Sequence, residues 1–489
     1  MKRLFATAVL LLSAAAASAQ TAETRLTFDQ VLRRALQVNN AIEQSRQEIN
    51  VAEANRSYLL SAVMPKINLT GNLTRNSIQR TFGGGSDAVT ILPTDNWAYQ
   101  VVLSQPLYAG RRELRAYSQA KIGVQTARET VLETEDATLL RVAASYFVLV
   151  NADSRREVEK TNIELAERRK KQAQAFFDAG EVTKVDVLRA ETAVKAAQRV
   201  MSNVDQVRAS AESDLRAALD LDTRIVAVDP NHTLPAVPNE EALVRRAEET
   251  RPDVTVAQNN LRVAELEVQK QRGFWLPTVT FDGGLINQKT AFPASNYMYG
   301  ALRFNVPVFQ AGEVIARVAG AKARQEEARL SVDTAKINAR EDVRRALVAL
   351  HEAETSLQLA REQFAAADAE YKQSFELYRA QESTSLDLAA SEASLADARR
   401  AVAEETLNHD IAALRVWYAA GQIKEAVGLP EGAAKVSAPG ETPASSPAPA
   451  AKTSPTTASD MTQATPATHD AISSELLASQ PQIATGVNR

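Results

Sequence analysis

Asp186 and Asp387 hold matching places in this chain, each in the turn that follows a threonine, Thr183 and Thr384. A carboxylate there faces the positive end of a helix whose first backbone N–H groups lack intrahelical partners, so capping is the first chemistry it offers. Other chemistry is scarce. With no cysteine there is no disulfide, thiolate metal site or cysteine nucleophile. His232, His351, His409 and His469 are too far apart for a local metal motif, and neither a metal nor another cofactor is expected. The adjacent Glu135 and Asp136 are expected on a long exposed helix without a pocket to tune them. The chain has no Gly-x-Ser-x-Gly turn, no phosphate loop before Lys-Ser or Lys-Thr, and no His-Glu-x-x-His. Gly83-Gly84-Gly85 reads as an outer loop rather than a phosphate cradle. An enzyme is therefore not expected. Lys plus Arg is 56 against 60 for Asp plus Glu, a formal charge of -4, which gives nucleic acid no purchase.

The elements that must carry these residues begin after a leader. Lys2 and Arg3 precede an apolar run from Leu4 to Leu12 and small residues ending Ala17-Ser18-Ala19, the three parts of a secretory signal peptide over 1–19. No cysteine follows the expected cleavage site, so no lipid anchor is expected. No later stretch approaches the ~20 apolar residues of a spanning helix, so any insertion into a membrane must be by strands.

An internal repeat organises the remainder. Val31-Leu32-Arg33-Arg34-Ala35 returns as Leu243-Val244-Arg245-Arg246-Ala247, and Pro65, Ile67, Leu69 and Gly71 return as Pro277, Val279, Phe281 and Gly283, about 212 positions on. Gln105-Pro106-Leu107-Tyr108-Ala109-Gly110 is answered by Val306-Pro307-Val308-Phe309-Gln310-Ala311-Gly312, and Asp186 by Asp387. Two copies are expected, over 20–229 and 230–430, each running helix, strand, strand, long helix, turn, return helix. From about residue 431 a Pro/Ala/Ser/Thr-rich tail lacks periodicity and bulky apolar groups, so it is expected to be disordered.

The strands are expected at about 65–76, 96–108, 276–288 and 297–309. Ile67, Leu69 and Leu73 alternate with Asn68, Thr70, Asn72 and Thr74, and Leu302 and Phe304 with Arg303 and Asn305. Strands of about ten residues with one apolar and one polar side suit a transmembrane β-barrel; a half-buried sheet in a soluble domain has the same alternation. Trp97, Tyr99, Trp275, Tyr297 and Tyr299 fall near strand ends, where membrane-interface aromatics would lie. Four strands are too few to enclose water, so strands crossing a membrane imply oligomerisation. From about Arg112 to Phe177 there is no proline, and a helix of that length spans on the order of 100 Å. Charges such as Glu157, Lys160, Arg168, Lys170 and Lys171 read as its solvated face.

The duplicated order, the Arg251-Pro252-Asp253 of the second copy, the proline-led strands and the paired hairpin tips resemble the TolC family of outer-membrane efflux proteins over roughly Thr27 to Leu429. The resemblance implies a mainly α fold with membrane β: a homotrimer whose chains each give four strands to a twelve-stranded β-barrel on a long α-helical barrel. It implies a passive outer-membrane channel reaching into the periplasm, the exit duct of a tripartite efflux or type I secretion system. Its partners would be outer-membrane lipid, a periplasmic adaptor protein and an inner-membrane transporter.

The hairpin tips are the periplasmic entrance in that family. Tyr378 and Asp387 occupy positions similar to its gating tyrosine and pore carboxylate, and the implied closed state has Tyr378 hydrogen-bonded to Asp186 and three copies of Asp387 around a constriction that favours cations. The chain departs from the family pattern at Ser383, where an arginine of the gate network is expected, at Gln381 in place of a tip glycine, and at Ala390 in place of a second ring aspartate. A periplasmic adaptor or a coiled-coil envelope protein is the alternative, but an adaptor carries one hairpin between compact β-domains, and a coiled-coil scaffold has no use for alternating strands.

Overall fold

The computed structural model describes residues 23–83, 89–228, 234–290, 294–380 and 382–429. The expected signal peptide and tail, Gly84, Gly85, His232, His469 and Gln381 lie outside the described residues.

β1 (Glu23–Leu26) leads into α1 (Phe28–Val38) and α2 (Asn40–Ser61). Thr27 and Gln30 form a capping box at the start of α1, and Phe28, Val31, Leu32, Ala35 and Leu36 make one buried stripe at helical spacing. The single helix expected to open the first copy is broken at Asn39. Its backbone is extended, and its side-chain oxygen accepts from Ala41 N at 3.0 Å, so one residue ends α1 and caps α2.

β2 (Lys66–Arg75) and β5 (Asp95–Ala109) then pair antiparallel, with a ribbon of β3 (Arg80–Phe82) and β4 (Val89–Leu92) between them. A bulge at Pro106/Tyr108 absorbs the proline that could not donate to the ladder. α3 (Arg112–Asp178) and its return helix α4 (Lys184–Leu219) complete the first copy. β6 (Arg224–Ala227) lies at the end of the span expected for the first copy, and the span expected for the second begins with α5 (Glu240–Thr250) and α6 (Pro252–Arg272), with Pro252 at the first turn of α6. It continues with β7 (Thr278–Gln288), β8 (Asn296–Asn305), α7 (Glu313–Arg379), α8 (Ser385–Ala419) and the short α9 (Ile423–Ala426). α3 and α7 each have 67 residues, ~100 Å of helix.

The strands of the two copies join in one antiparallel sheet of order β2-β5-β7-β8, while β1 pairs with β6 in parallel. The main core lies midway along α3. There Leu139, Val142, Ala143 and Leu149 pack with α1, the end of α4, Ile225 and Ile423, and Phe28 stacks on Phe147 at 5.2 Å. A second core, dominated by alanine and valine, joins α5 and α7 to the end of α8. Among the described residues no helix is long and apolar enough to cross a membrane.

Candidate functional site

Two regions draw the expected site residues together, the hairpin tips and the four-stranded sheet. At the first tip α3 ends at Asp178, and Thr183 caps α4: its backbone N and hydroxyl donate to Asp186 Oδ2 at 3.0 and 2.8 Å. The second tip repeats this chemistry, with Thr384 N and Oγ1 donating to Asp387 Oδ2 at 3.1 and 2.7 Å and Asp387 N donating back to Thr384 Oγ1. Ser383 adds a hydroxyl at 3.3 Å. Hydrogen bonds from the threonine side chains and backbones hold both carboxyls below their ordinary values, so both stay ionised near neutrality. Tyr378 and Asp186 line one cavity of about 190 Å³ with Arg169, Phe176 and Leu386. No hydrogen bond joins Tyr378 to Asp186; the carboxylate bonds to its own threonine and lies 3.7 Å from Arg189.

Above the tips, charged groups bind the two hairpins together. Arg400 on α8 donates through Nε and Nη2 to the two oxygens of Glu159 on α3, at 2.7 and 3.2 Å, and Asn162 adds a third hydrogen bond. Glu159 is fully buried. Burial pushes its carboxyl up, but the bonds from Arg400 and Asn162 outweigh that and hold it below the usual range. Nearer the tips, Arg169 on α3 donates to the Leu388 carbonyl at 3.3 Å and pairs with Glu392 on α8. Residues facing one another from helices more than 200 positions apart leave no periodic signal in sequence, and these four were not foreseen. Glu135 and Asp136, expected on an exposed helix, are buried instead, because α9 folds back onto α3. Lys424 lies 2.8 Å from Glu135 and 3.4 Å from Asp136, and Arg46 lies 3.4 Å from Glu135. Among the described residues no acidic or histidine cluster is arranged to hold a metal.

Register sorts the sheet into two faces. Ile67, Leu69 and Leu73 pair with Leu103, Val101 and Trp97; Val101 continues to Leu285, and Val279, Phe281 and Leu285 continue to Phe304, Leu302 and Met298. This face is apolar and open, with Leu69 72%, Met298 77% and Phe304 68% exposed. The opposite face carries Asn68, Thr70, Gln100 and Ser104, and the charges Lys66, Asp282 and Arg303, the last two paired at 2.9 Å.

The five aromatics expected at strand ends do not share a face. Trp97 and Tyr99 stack at 5.5 Å on the apolar side at the loop end of the sheet. Tyr297 and Tyr299 lie on the opposite side: they pair with Ile286 and Gly284, and the Tyr299 ring fills the space where a Cβ on Gly284 would stand. β8 alternates, so its odd positions share the face of Arg303; counting parity from that arginine separates them. Trp275 sits at the far end, in the 3₁₀ turn Gly273–Trp275 before β7.

A family model described as "Outer membrane efflux protein" matches residues 31–220 and 243–422. The chain is 24% identical over 374 residues to the outer membrane efflux protein BepC of Brucella suis, covering 75% of this chain and 78% of BepC. It is 23% identical over 362 residues to the pyoverdine export outer membrane protein OpmQ of Pseudomonas aeruginosa, covering 71% and 76%. Its fold is similar to that of the Campylobacter jejuni CmeC outer membrane channel, with a TM-score of 0.69 at 18% identity over 81% of this chain and 86% of that one.

Proposed function

The chain belongs to the outer membrane efflux protein family and is an outer-membrane efflux duct, and from that premise we propose that three copies assemble into one pore that conducts passively. The sheet carries this reading. Its apolar face is free of charge from Ile67 to Leu73 and across to Phe304, while its end strands β2 and β8 have no neighbour on their outer edges among the described residues. In lipid such edges must be closed by another strand, and β8 of one copy against β2 of the next closes twelve strands around the polar face. The long helix that follows β8 offers a helical seam. Ile315, Leu330, Ile337, Val348 and Leu359 of α7 are exposed and fall within about 80° of one helix face, suited to α2 of the next copy with its exposed Val51 and Tyr58.

In this assembly Trp97 and Tyr99 sit at the outer membrane interface and Trp275 at the inner one, while Tyr297 and Tyr299 face the water-filled lumen. The long helices reach through the periplasm, with Asp186, Tyr378 and Asp387 around the entrance, where a periplasmic adaptor joins an inner-membrane pump. The pump supplies the energy. An adaptor or a coiled-coil scaffold would have no use for an apolar strand face of this extent. Detergent extraction of the envelope followed by mass determination tests the assembly: a heat-labile trimer in the outer-membrane fraction supports it, and a monomer released with the soluble periplasm refutes it.

A further inference from the structure

We propose that the cavity at the start of α3 seats the headgroup of phosphatidylethanolamine from the periplasmic leaflet of the outer membrane, with Arg111 holding its phosphate and Glu113 its ammonium. This rests on the reading above that the apolar strand face lies in lipid. The cavity, of about 410 Å³, is lined by Val63, Leu107, Tyr108, Arg111, Glu113 and Leu114, and falls in the size range of small-molecule sites. It lies where β5 gives way to α3, the level at which hydrocarbon gives way to headgroups in the proposed assembly. Register places it on the lipid side: Tyr108 pairs with Val279 and Gln105 with Phe281, both on the apolar face. Leu107 and Leu114 are exposed there, which continues the apolar surface of the strands to the cavity.

Both charges of the cavity are open to a ligand. Among the described residues neither the Arg111 guanidinium nor the Glu113 carboxylate has a hydrogen bond or ion pair, although they line the same cavity. Glu113 also borders a second cavity with Arg112 and Lys270, but those cations are committed elsewhere. Arg112 donates to the Ala109 carbonyl at 2.9 Å and stacks over Phe274, and Lys270 pairs with Glu267. The other long helix lacks this arrangement. α7 is entered through Ala311 and Gly312, and its Glu313 is bound by Arg317 at 2.9 Å. α3 is entered through Gly110 and Arg111, so a long cationic side chain stands at a left-handed position, φ +60, that glycine fills in the other copy. An unpaired base and an unpaired acid lining one cavity complement a zwitterion: the phosphodiester accepts from the guanidinium, and the primary ammonium donates to the carboxylate. Phosphatidylcholine offers the same phosphate but no N–H donor, and phosphatidylglycerol offers no cation at all.

The test measures lipid binding to the purified full-length protein in detergent by native mass spectrometry. The probes are the dioleoyl forms of phosphatidylethanolamine, phosphatidylglycerol and phosphatidylcholine, with free phosphoethanolamine as competitor. Phosphatidylethanolamine should bind about tenfold more tightly than either other lipid, and R111G and E113Q should each lose about that factor, the scale of one charge-assisted hydrogen bond. Melting without lipid should be no lower in R111G than in wild type, because glycine suits the left-handed backbone, and this separates lost binding from lost folding. Equal affinity for the three lipids, or full affinity in both variants, overturns the headgroup site and leaves the duct intact. Displacement of the lipid by free phosphoethanolamine at matching concentration overturns a membrane ligand in favour of a soluble phosphoester. A wild-type protein released with the soluble periplasm would instead remove the membrane reading on which the site rests.

Discussion

Gly110 and Gly273 touch backbone to backbone: a Cβ on Gly110 would lie 2.2 Å from the Gly273 carbonyl oxygen, and one on Gly273 would lie 2.5 Å from that of Gly110. The contact joins the end of β5 in the first copy to the turn before β7 in the second, where sheet meets helices. Arg112, at the start of α3, and Arg317, in the second turn of α7, stack over Phe274 beside it at 4.4 and 4.9 Å. Gly312 matches Gly110 in the repeat and shares its left-handed backbone, with φ +83 against +65, but has open space where its Cβ would stand. Gly273→Ala and Gly110→Ala should each cost ~3 kcal/mol or more, and Gly312→Ala only ~1 kcal/mol. Melting of the purified assembly ranks the three, and equal losses at Gly110 and Gly312 would contradict the close approach.

Glu159 is buried and Arg400 is its part-exposed partner, which also pairs with Asp397 at 2.6 Å. Arg400→Ala should destabilise the fold by ~3–5 kcal/mol, because it leaves a buried carboxylate without its cation, Glu159→Gln should cost less because Arg400 keeps Asp397, and Glu159→Leu with Arg400→Met should be close to neutral. Denaturant midpoints of the two single variants and the double variant decide it.

Asp136 makes stability depend on pH. Burial pushes its carboxyl up to about 6 from an ordinary 3.8, against the opposing pull of Lys424. The folded chain therefore holds this proton more tightly than the unfolded chain. The contribution of the group to stability falls as pH rises from about 4 to about 6, by ~3 kcal/mol in all, and is level above that. Asp136→Asn should be the more stable protein at pH 7.5 and lose about two thirds of that advantage at pH 4.5, as read from urea midpoints at the two values.

Asp387 is held in the ionised form by its capping threonine, and in the proposed trimer three copies around the entrance would favour cations. Asp387→Ala should lower the cation preference measured from reversal potentials across a salt gradient. Unchanged selectivity would sink the ring of carboxylates.

Trp97 and Trp275 would report the proposed membrane boundaries, with Trp417 as the control. In variants that each retain one of them, Trp97 and Trp275 should be quenched by lipids labelled near the headgroup. Trp417, buried at the end of α8, should be untouched. Quenching of Trp417 alone would invert the proposed orientation.

The parts of this protein that depend on near neighbours were legible in its sequence. Alternation of Ile67, Leu69 and Leu73 with Asn68, Thr70 and Asn72 is the period of a strand, and Thr384 with Asp387 is a cap whatever the rest of the chain does. The face of Tyr297 and Tyr299, opposite to that of Trp97 and Tyr99, was written in the parity of β8 as well, although nearness to a strand end groups all four. The break at Asn39 was also local, since its own side chain makes it.

Only the tertiary structure decided the rest. Glu159 finds Arg400, Arg169 finds Glu392, and Lys424 reaches Glu135 across separations that carry no sequence period, because the partners belong to helices brought together by packing. The same residue type at matching places of the repeat, Gly110 and Gly312, differs in what it can tolerate because one has Gly273 against it and the other has open space. By itself the sequence determined the elements and their order, through propensity and pattern within a few residues. Packing decided which charges are buried, which hairpins are joined and where the backbone has no room, since those depend on distances between segments that the chain order does not contain.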